Sequence, residues 1–419
     1  MRAAVILKRE FGFLSRDRSV LMWMAVVFCL SSVAVWSGMS EIRHQQSTIE
    51  RLLAADQQDR LAELSKQSDW GSAAYYSFHL TYLPPSDFAF AALGQRDVLP
   101  WKHRLRMLAL EGQIYEHDAG NPELALVGRF DFAFFTAFVL PLILIFLLHD
   151  LKSTERVAGR FNLLNATVGS DTPLWWWRGA VVACCVLIAC VLPLALGGMA
   201  GGTDLVTLFI AMAWVAVYVL FWSIVCVLFA GWERSGAVIL SALVGVWIFF
   251  GTLLPTGSRM IIDQVVPMPS GADILMTQRE AVNDAWDLPV NATMEPFVAR
   301  HPEWQGFVYT GEGFNWPWYY AFQQVGDQKT EQLALAYRQG RLERDALAGW
   351  VSLLAPPALL ERQLQRLAFT DLRSAIVYED EVRSFHGELR AFFYPKLFGQ
   401  RPYDAERLAN LPQFAPERS

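Results

Sequence analysis

The chain has 419 residues, of which 53% are hydrophobic and 18% charged, and its formal net charge is -6. An ordinary globular protein carries roughly 25% charged residues, so charge is depleted here, and where it is missing matters more than the sum. No Lys/Arg block of the kind nucleic-acid binding requires is present, which argues against a nucleic-acid partner.

Residues 1–19 place Leu7, Phe11 and Leu14 at helical spacing, with Lys8, Arg9, Arg16 and Arg18 among them. This pattern predicts an amphipathic elbow helix in the headgroup plane, its basic residues turned toward anionic membrane lipid. A simple topogenic flank would account for the charges but not for the apolar stripe.

Five windows then have the length and apolarity of membrane spans: residues 20–39, 130–148, 179–199, 205–231 and 236–255. Crossing a ~30 Å hydrocarbon core takes about 20 residues at 1.5 Å each. A charge at a span centre costs about 2.5–3.5 kcal/mol; none of the five carries one, and Asp131 sits at an end. The first window is too long for a signal-peptide core and no small-residue cleavage site follows, so it is expected to be a retained anchor.

Lys152, Arg156, Arg160 and Arg178 occupy the link 149–178, whereas the glycine-rich turn after the third window has no Lys or Arg. Positive residues favour the cytoplasmic side in short loops, so the N-terminus and link 149–178 are expected in the cytoplasm. The run Trp175-Trp176-Trp177 falls where an interfacial aromatic belt would lie. Residues 40–129 and 256–419 would then be extracytoplasmic. The first opens with a helical pattern that continues the first span. The second is Trp/Pro-rich through Asn315-Trp316-Pro317-Trp318 and helical from Lys329 to about Phe398, with an apolar stretch, residues 346–360, that is too short to span and carries Pro356-Pro357. The expected fold class is mainly α: a polytopic membrane helix bundle with two mostly helical extracytoplasmic domains. No internal repeat is evident.

The chemistry-bearing motifs of common enzymes are missing. There is no H-E-x-x-H, no G-x-S-x-G and no phosphate-binding G-x-x-x-x-G-K-[ST]. All five cysteines lie in apolar windows, where they act as small hydrophobes, so neither disulfides nor a metal site is expected. His301-Pro302-Glu303 and the acidic run Glu379-Asp380-Glu381 fit solvated surfaces, and the methionines at 260, 268 and 276 are interrupted by Pro267 and Pro269. Any energy source must therefore reside on another chain. In the link, Val157, Phe161 and Leu164 recur at i, i+4, i+7 behind Ser153-Thr154, a helix start with an acid in its first turn. Such a short basic helix with an apolar face fits either an ATPase groove or the membrane surface.

Several short segments together resemble ABC-2 type transporter permeases. They are Ile6-Leu7-Lys8-Arg9-Glu10 and Ser15-Arg16-Asp17-Arg18-Ser19 at the start, Asn121-Pro122, Gly128-Arg129-Phe130-Asp131 and Leu140-Pro141-Leu142 around the second window, and Ser153-Thr154-Glu155-Arg156 after it. Tyr82-Leu83-Pro84-Pro85 and Gly94-Gln95-Arg96-Asp97 resemble the branch with a large insertion between the first two spans, related to gliding-motility and nitrous-oxide-maturation permeases. The resemblance implies an elbow helix carrying Leu7, Glu10, Phe11, Leu14, Arg16 and Arg18. It implies a coupling helix carrying Glu155, Arg156, Val157, Gly159, Arg160, Phe161 and Leu164 that docks on a separate ABC ATPase. The expected assembly pairs this chain with a second permease chain, the same or related, in a bacterial inner membrane, with a periplasmic partner for the outer segments. ATP and Mg would bind the partner ATPase, and this chain would bind no cofactor and catalyse nothing itself. The expected activity is substrate movement, in the export direction, across that membrane. The alternative is a non-transporting anchored scaffold or sensor, to which the charge-free spans are equally suited. Two departures stand out. Gly159-Arg160 replaces a Gly-Thr found in many relatives, and the sequence stops at Leu411-Pro412-Gln413-Phe414 where relatives usually continue into a sixth span. Either the chain has five spans and an outer C-terminus, or the sequence is shortened.

Overall fold

The computed structural model describes residues 3–14, 16–116, 129–168, 171–307 and 314–417. Ser15, Asn121, Pro122 and Gly128 lie outside the described residues, as does the side chain of Leu7. The fold is almost wholly helical, and among the described residues five helices are long and apolar enough to cross a membrane. Each of the five apolar windows lies on one of them.

The chain begins with α1 (Ala3–Leu14) and α2 (Arg18–Leu64). Asp17 separates them: its carboxylate accepts the Ser19 and Val20 N–H groups at 2.9 and 3.5 Å, capping α2. Arg16 and Arg18 therefore belong to the turn and to the first residue of α2, not to the elbow helix. With 47 residues, α2 is about 70 Å long, so it carries the first apolar window straight on into a polar half. The next span, α5 (residues 132–148), runs through Phe132–Phe134, a π-helical turn at Phe135–Val139, and Leu140–Leu148. After the short helices α6 (Ser153–Val157) and α7 (Phe161–Val168) come α8 (Asp171–Ala200), α9 (Leu205–Ala230) and α10 (Gly236–Val265). α8 packs along α2 and α9, α9 packs on α5, α5 packs on α10, and α1 lies against α8.

Two span boundaries differ from expectation. The third helix starts at Asp171, not 179, so Trp175–Trp177 and Arg178 are helical and link 149–178 is correspondingly shorter. The fifth continues ten residues past 255, because nothing in Thr256–Val265 stops it. Pro255 does not break it either. Both α5 and α10 carry a π turn just before a proline, Phe135–Val139 ahead of Pro141 and Phe249–Leu253 ahead of Pro255, with Leu140 N–H reaching the Phe135 carbonyl and Leu254 N–H the Phe249 carbonyl. A proline has no N–H for the carbonyl four residues back, which for Pro141 is Ala137. The Tyr218 hydroxyl of α9 donates to that carbonyl at 2.5 Å, and Trp247 Nε1–H donates to the neighbouring Phe138 carbonyl at 3.1 Å. Buried backbone freed by a proline must be re-satisfied by neighbouring helices. Tyr218→Phe is thus expected to destabilise the bundle by about 1–3 kcal/mol, and Pro141→Ala, which restores the donor, should remove most of that loss. Thermal melts of the two single variants and the double variant in detergent would measure the coupling.

The polar half of α2 joins α3 (Trp70–Tyr76), an antiparallel pair β1 (His79–Tyr82) and β2 (Lys102–Leu105), and α4 (Leu110–Tyr115). The register sets His79 opposite Leu105 and Tyr82 opposite Lys102. The C-terminal part adds α11 (Gly271–Asp287), α12 (Val290–Arg300), the long α13 (Trp316–Ser352), α14 (Pro356–Leu367) and α15 (Leu372–Leu397). The segments expected as two domains share one hydrophobic core, in which Trp70, Leu105 and Tyr115 pack with Phe297, Tyr320 and Phe393. The Trp70 indole donates to the Pro402 carbonyl at 3.0 Å and the Tyr320 hydroxyl to the Gly71 carbonyl at 2.8 Å, tying the two together. We call this body the polar domain.

The polar domain is seated on the bundle, not tethered to it. The segment Ala89–Ala91 lies so close to α2 that a Cβ on Gly38 would fall 1.9 Å from the Phe90 carbonyl oxygen, a contact only glycine permits. The apolar stretch 346–360 covers the end of α13, a turn and the start of α14. Trp350, Leu353 and Leu354 at the turn are exposed, while Leu360, Leu364 and Ala368 are buried among the spans. α14 rests on α9, on the π turn of α5 and on that of α10, so the half-turn of apolar sequence reads out as a wedge at the top of the bundle.

Candidate functional site

The end of the bundle opposite the polar domain gathers α1, the start of α8 and the link with α6 and α7. The link was expected to form one helix over residues 155–164, and it does not. α6 ends at Val157, Gly159 takes φ +68°, and α7 begins at Phe161. A positive φ of that size is the left-handed region open to glycine at little cost, and it turns the chain between the two short helices.

This break separates the residues of the expected apolar stripe. Val157 is 91% exposed at the tip, and Leu163 is 68% exposed beside it. Phe161 turns inward and stacks on Trp175, ring centroids 5.8 Å apart and 11° from parallel, while the Arg156 guanidinium covers its other side at 4.9 Å. Leu164 packs against the spans. Arg156 is further fixed by donating to the Trp232 carbonyl at 3.1 Å, which ties the link to the turn between α9 and α10. The link is therefore a small buttressed projection with an apolar tip.

Beneath it runs a chain of alternating charges. Arg160 Nε donates to Glu155 Oε2 at 2.9 Å, Arg178 Nη1 donates to Glu155 Oε1 at 3.3 Å, and Arg178 Nε donates to Glu10 Oε2 at 2.8 Å. Glu10 is 1% exposed and Glu155 8%, so both carboxylates are withdrawn from water with Arg178 between them. The Arg178 guanidinium also lies over the rings of Phe13 and Trp175, at 5.6 and 5.3 Å. Arg178 is the hub, joining elbow, span and link. Sequence reasoning counted it only as a positive charge for topology.

The elbow meets the bundle differently from its apolar pattern. Its inward face is Glu10 with Leu14, both buried, whereas Phe11 and Phe13 are about 60% exposed, and Lys8, Arg9, Arg16 and Arg18 are exposed as well. A carboxylate thus replaces a hydrophobe at the contact with α8, because Arg178 is there to receive it. The outward face mixes aromatic rings with cations.

Nothing here carries out covalent chemistry. Among the described residues no group of three or more His, Cys, Asp or Glu side chains could hold a metal, and all five cysteines are free thiols. What the arrangement can do is mechanical: an exposed apolar tip on a short arm, cross-braced by ion pairs to an amphipathic helix and to the third span.

A family model described as a domain of unknown function (DUF3526) matches residues 273–417, which run from α11 to the end of the polar domain. No curated protein and no solved structure matches the chain.

Proposed function

We propose that this chain is the membrane-spanning permease subunit of an ABC-type transporter, driven by a separate ATPase subunit that grips the projection at Val157. The observation that carries the reading is the pairing of an almost fully exposed apolar tip with a base that is immobilised on the spans by Phe161–Trp175 stacking and the Glu10–Arg178–Glu155–Arg160 chain. An isolated valine at a loop tip gains nothing in water, but in a partner's groove it is an anchor whose displacement is passed to the spans through rigid contacts. The lack of a phosphate-binding loop agrees with an energy source on another polypeptide.

On this reading the projection and α1 lie in the cytoplasm of a bacterial inner membrane, with the exposed Phe11, Phe13, Lys8 and Arg9 of the elbow in the anionic headgroup layer. The polar domain stands on the far side, where α14 wedges the outer ends of the spans, and a second permease chain completes the bundle. Substrate moves outward when closure of the ATPase pair pulls on the projection. A second reading, an anchored scaffold or sensor, is favoured by the size of the polar domain and by a charged cleft within it. Purification of the tagged full-length chain from its own membranes in mild detergent, with mass identification of bound subunits, separates the two: the permease reading requires a stoichiometric ATP-binding subunit, and recovery of the chain without one contradicts it.

A further inference from the structure

A cleft of about 450 Å3 opens in the polar domain between α13 and α15, closed at one end by the start of α4 and at its side by the end of α12. Its volume lies within the ~300–1,000 Å3 of small-molecule sites. Four arginines line it, and four carboxylates face them: Arg390 pairs with Asp327, Arg383 with Glu111, Arg338 with Asp380 and Arg300 with Glu331. The formal charge of the wall is therefore balanced. Burial holds the lining His386 well below the usual imidazole range, so it adds no charge.

Hydrogen bonding is not balanced. Asp327 is fully engaged by its own chain: besides Arg390, its Oδ1 takes the N–H groups of Leu110 and Glu111 at 2.7 and 3.2 Å and the amide of Gln278. Asp380 is likewise filled by Arg338 and Arg383. The donors are not filled. Arg390 gives one of its five N–H groups to Asp327, Arg300 gives one to Glu331, and the Gln328 side-chain nitrogen is buried at the cleft wall with no partner among the described residues. A buried donor without an acceptor costs about 1–3 kcal/mol, and here several converge on one space.

We propose that this cleft binds a small monocarboxylate, its oxygens accepting from Arg390, Gln328 and Arg300. An anion suits converging guanidinium and amide donors, and a planar carboxylate suits the two-pronged geometry of an arginine. A dianion is disfavoured because Glu111, Asp327, Glu331 and Asp380 surround the same space at close range. The remaining wall, with Leu110, Ala334 and Leu335, offers an apolar surface for a short carbon chain. This inference is independent of the transport reading and its test needs no ATPase.

The test is thermal unfolding of the full-length chain in detergent, with acetate, butyrate or L-lactate compared against chloride, phosphate and choline at matched ionic strength. At least one monocarboxylate should raise the midpoint saturably, and the three controls should not. Gly387 lines the cleft, and a Cβ built there meets nothing within 4 Å, so Gly387→Leu fills the space without displacing a neighbour and favours the helix. It should fold at least as well as the parent and lose the response. Gln328→Met, which keeps the volume and removes the amide, should weaken binding about tenfold or more, equivalent to about 1.4 kcal/mol. A flat response to all three monocarboxylates, or a response that persists in Gly387→Leu, overturns the proposal.

Discussion

Val157→Asp is expected to strip the ATPase subunit from the purified complex while leaving the chain as stable as its parent. The two halves of that result have different causes. In the isolated chain Val157 is 91% exposed, so aspartate there meets water and costs nothing in folding; surface changes of this kind stay within about ±0.5 kcal/mol. In a groove, the same carboxylate must be desolvated without a partner, in addition to losing the apolar contact. Central apolar anchors at interfaces are worth about 2 kcal/mol or more, so affinity should fall at least about 30-fold. Leu163→Asp, at the neighbouring exposed position, should act in the same direction with smaller effect. Phe161→Asp is a poorer probe. It removes the ring stacked between Trp175 and Arg156, so the projection itself would come apart and any loss of the partner would be indirect.

Arg178→Ala is expected to be the most destabilising single change at this end of the bundle. Removing the guanidinium leaves Glu10, 1% exposed, beside only the 3.3 Å contact from Arg9, and leaves Glu155 with Arg160 alone. Breaking a buried pair by deleting one partner typically costs about 3–5 kcal/mol, because a charge is left in a poorly solvated place. The double variant Glu10→Leu/Arg178→Leu should recover most of that loss, since replacing both charges by hydrophobes of similar size is near neutral. Arg178→Lys should recover part of it, as one ammonium cannot span two carboxylates with the geometry of a guanidinium. The readout is the melting midpoint of the full chain in detergent. If the single and double variants melt alike, the ion-pair chain is not what holds elbow and link to the span.

The spans were the most legible part of the sequence, because a 20-residue apolar window is a bulk property that no local detail can hide. Their ends were less so. Trp175–Trp177 and Thr256–Val265 continue helices that hydropathy alone would end, since helix formation persists into polar sequence where nothing caps it. The π turns were written in the recurrence of a proline after Phe135–Leu140 and Phe249–Leu254, but the meaning of that recurrence depends on Tyr218 and Trp247 arriving from other helices. At the projection, the i, i+4, i+7 pattern located the right residues and misjudged their faces, because a single glycine with positive φ reorients everything after it. Glu10 was singled out as part of an elbow and Glu155 as part of a link. That one arginine joins them is a contact across 168 residues between Glu10 and Arg178, and a one-dimensional pattern cannot supply it. The charged cleft was hidden for a similar reason. Acids and arginines on α13 and α15 look like solvated faces until the two helices are seen to turn those faces toward each other.

The central claim is that force enters this chain through the tip of the projection. It is tested most directly by site-specific photocrosslinking from position 157 in native membrane vesicles. The account predicts one dominant adduct with an ATP-binding subunit, whose yield changes between nucleotide-free and ATP-loaded vesicles. Crosslinks only to lipid or to this chain's own spans, under both conditions, would contradict it.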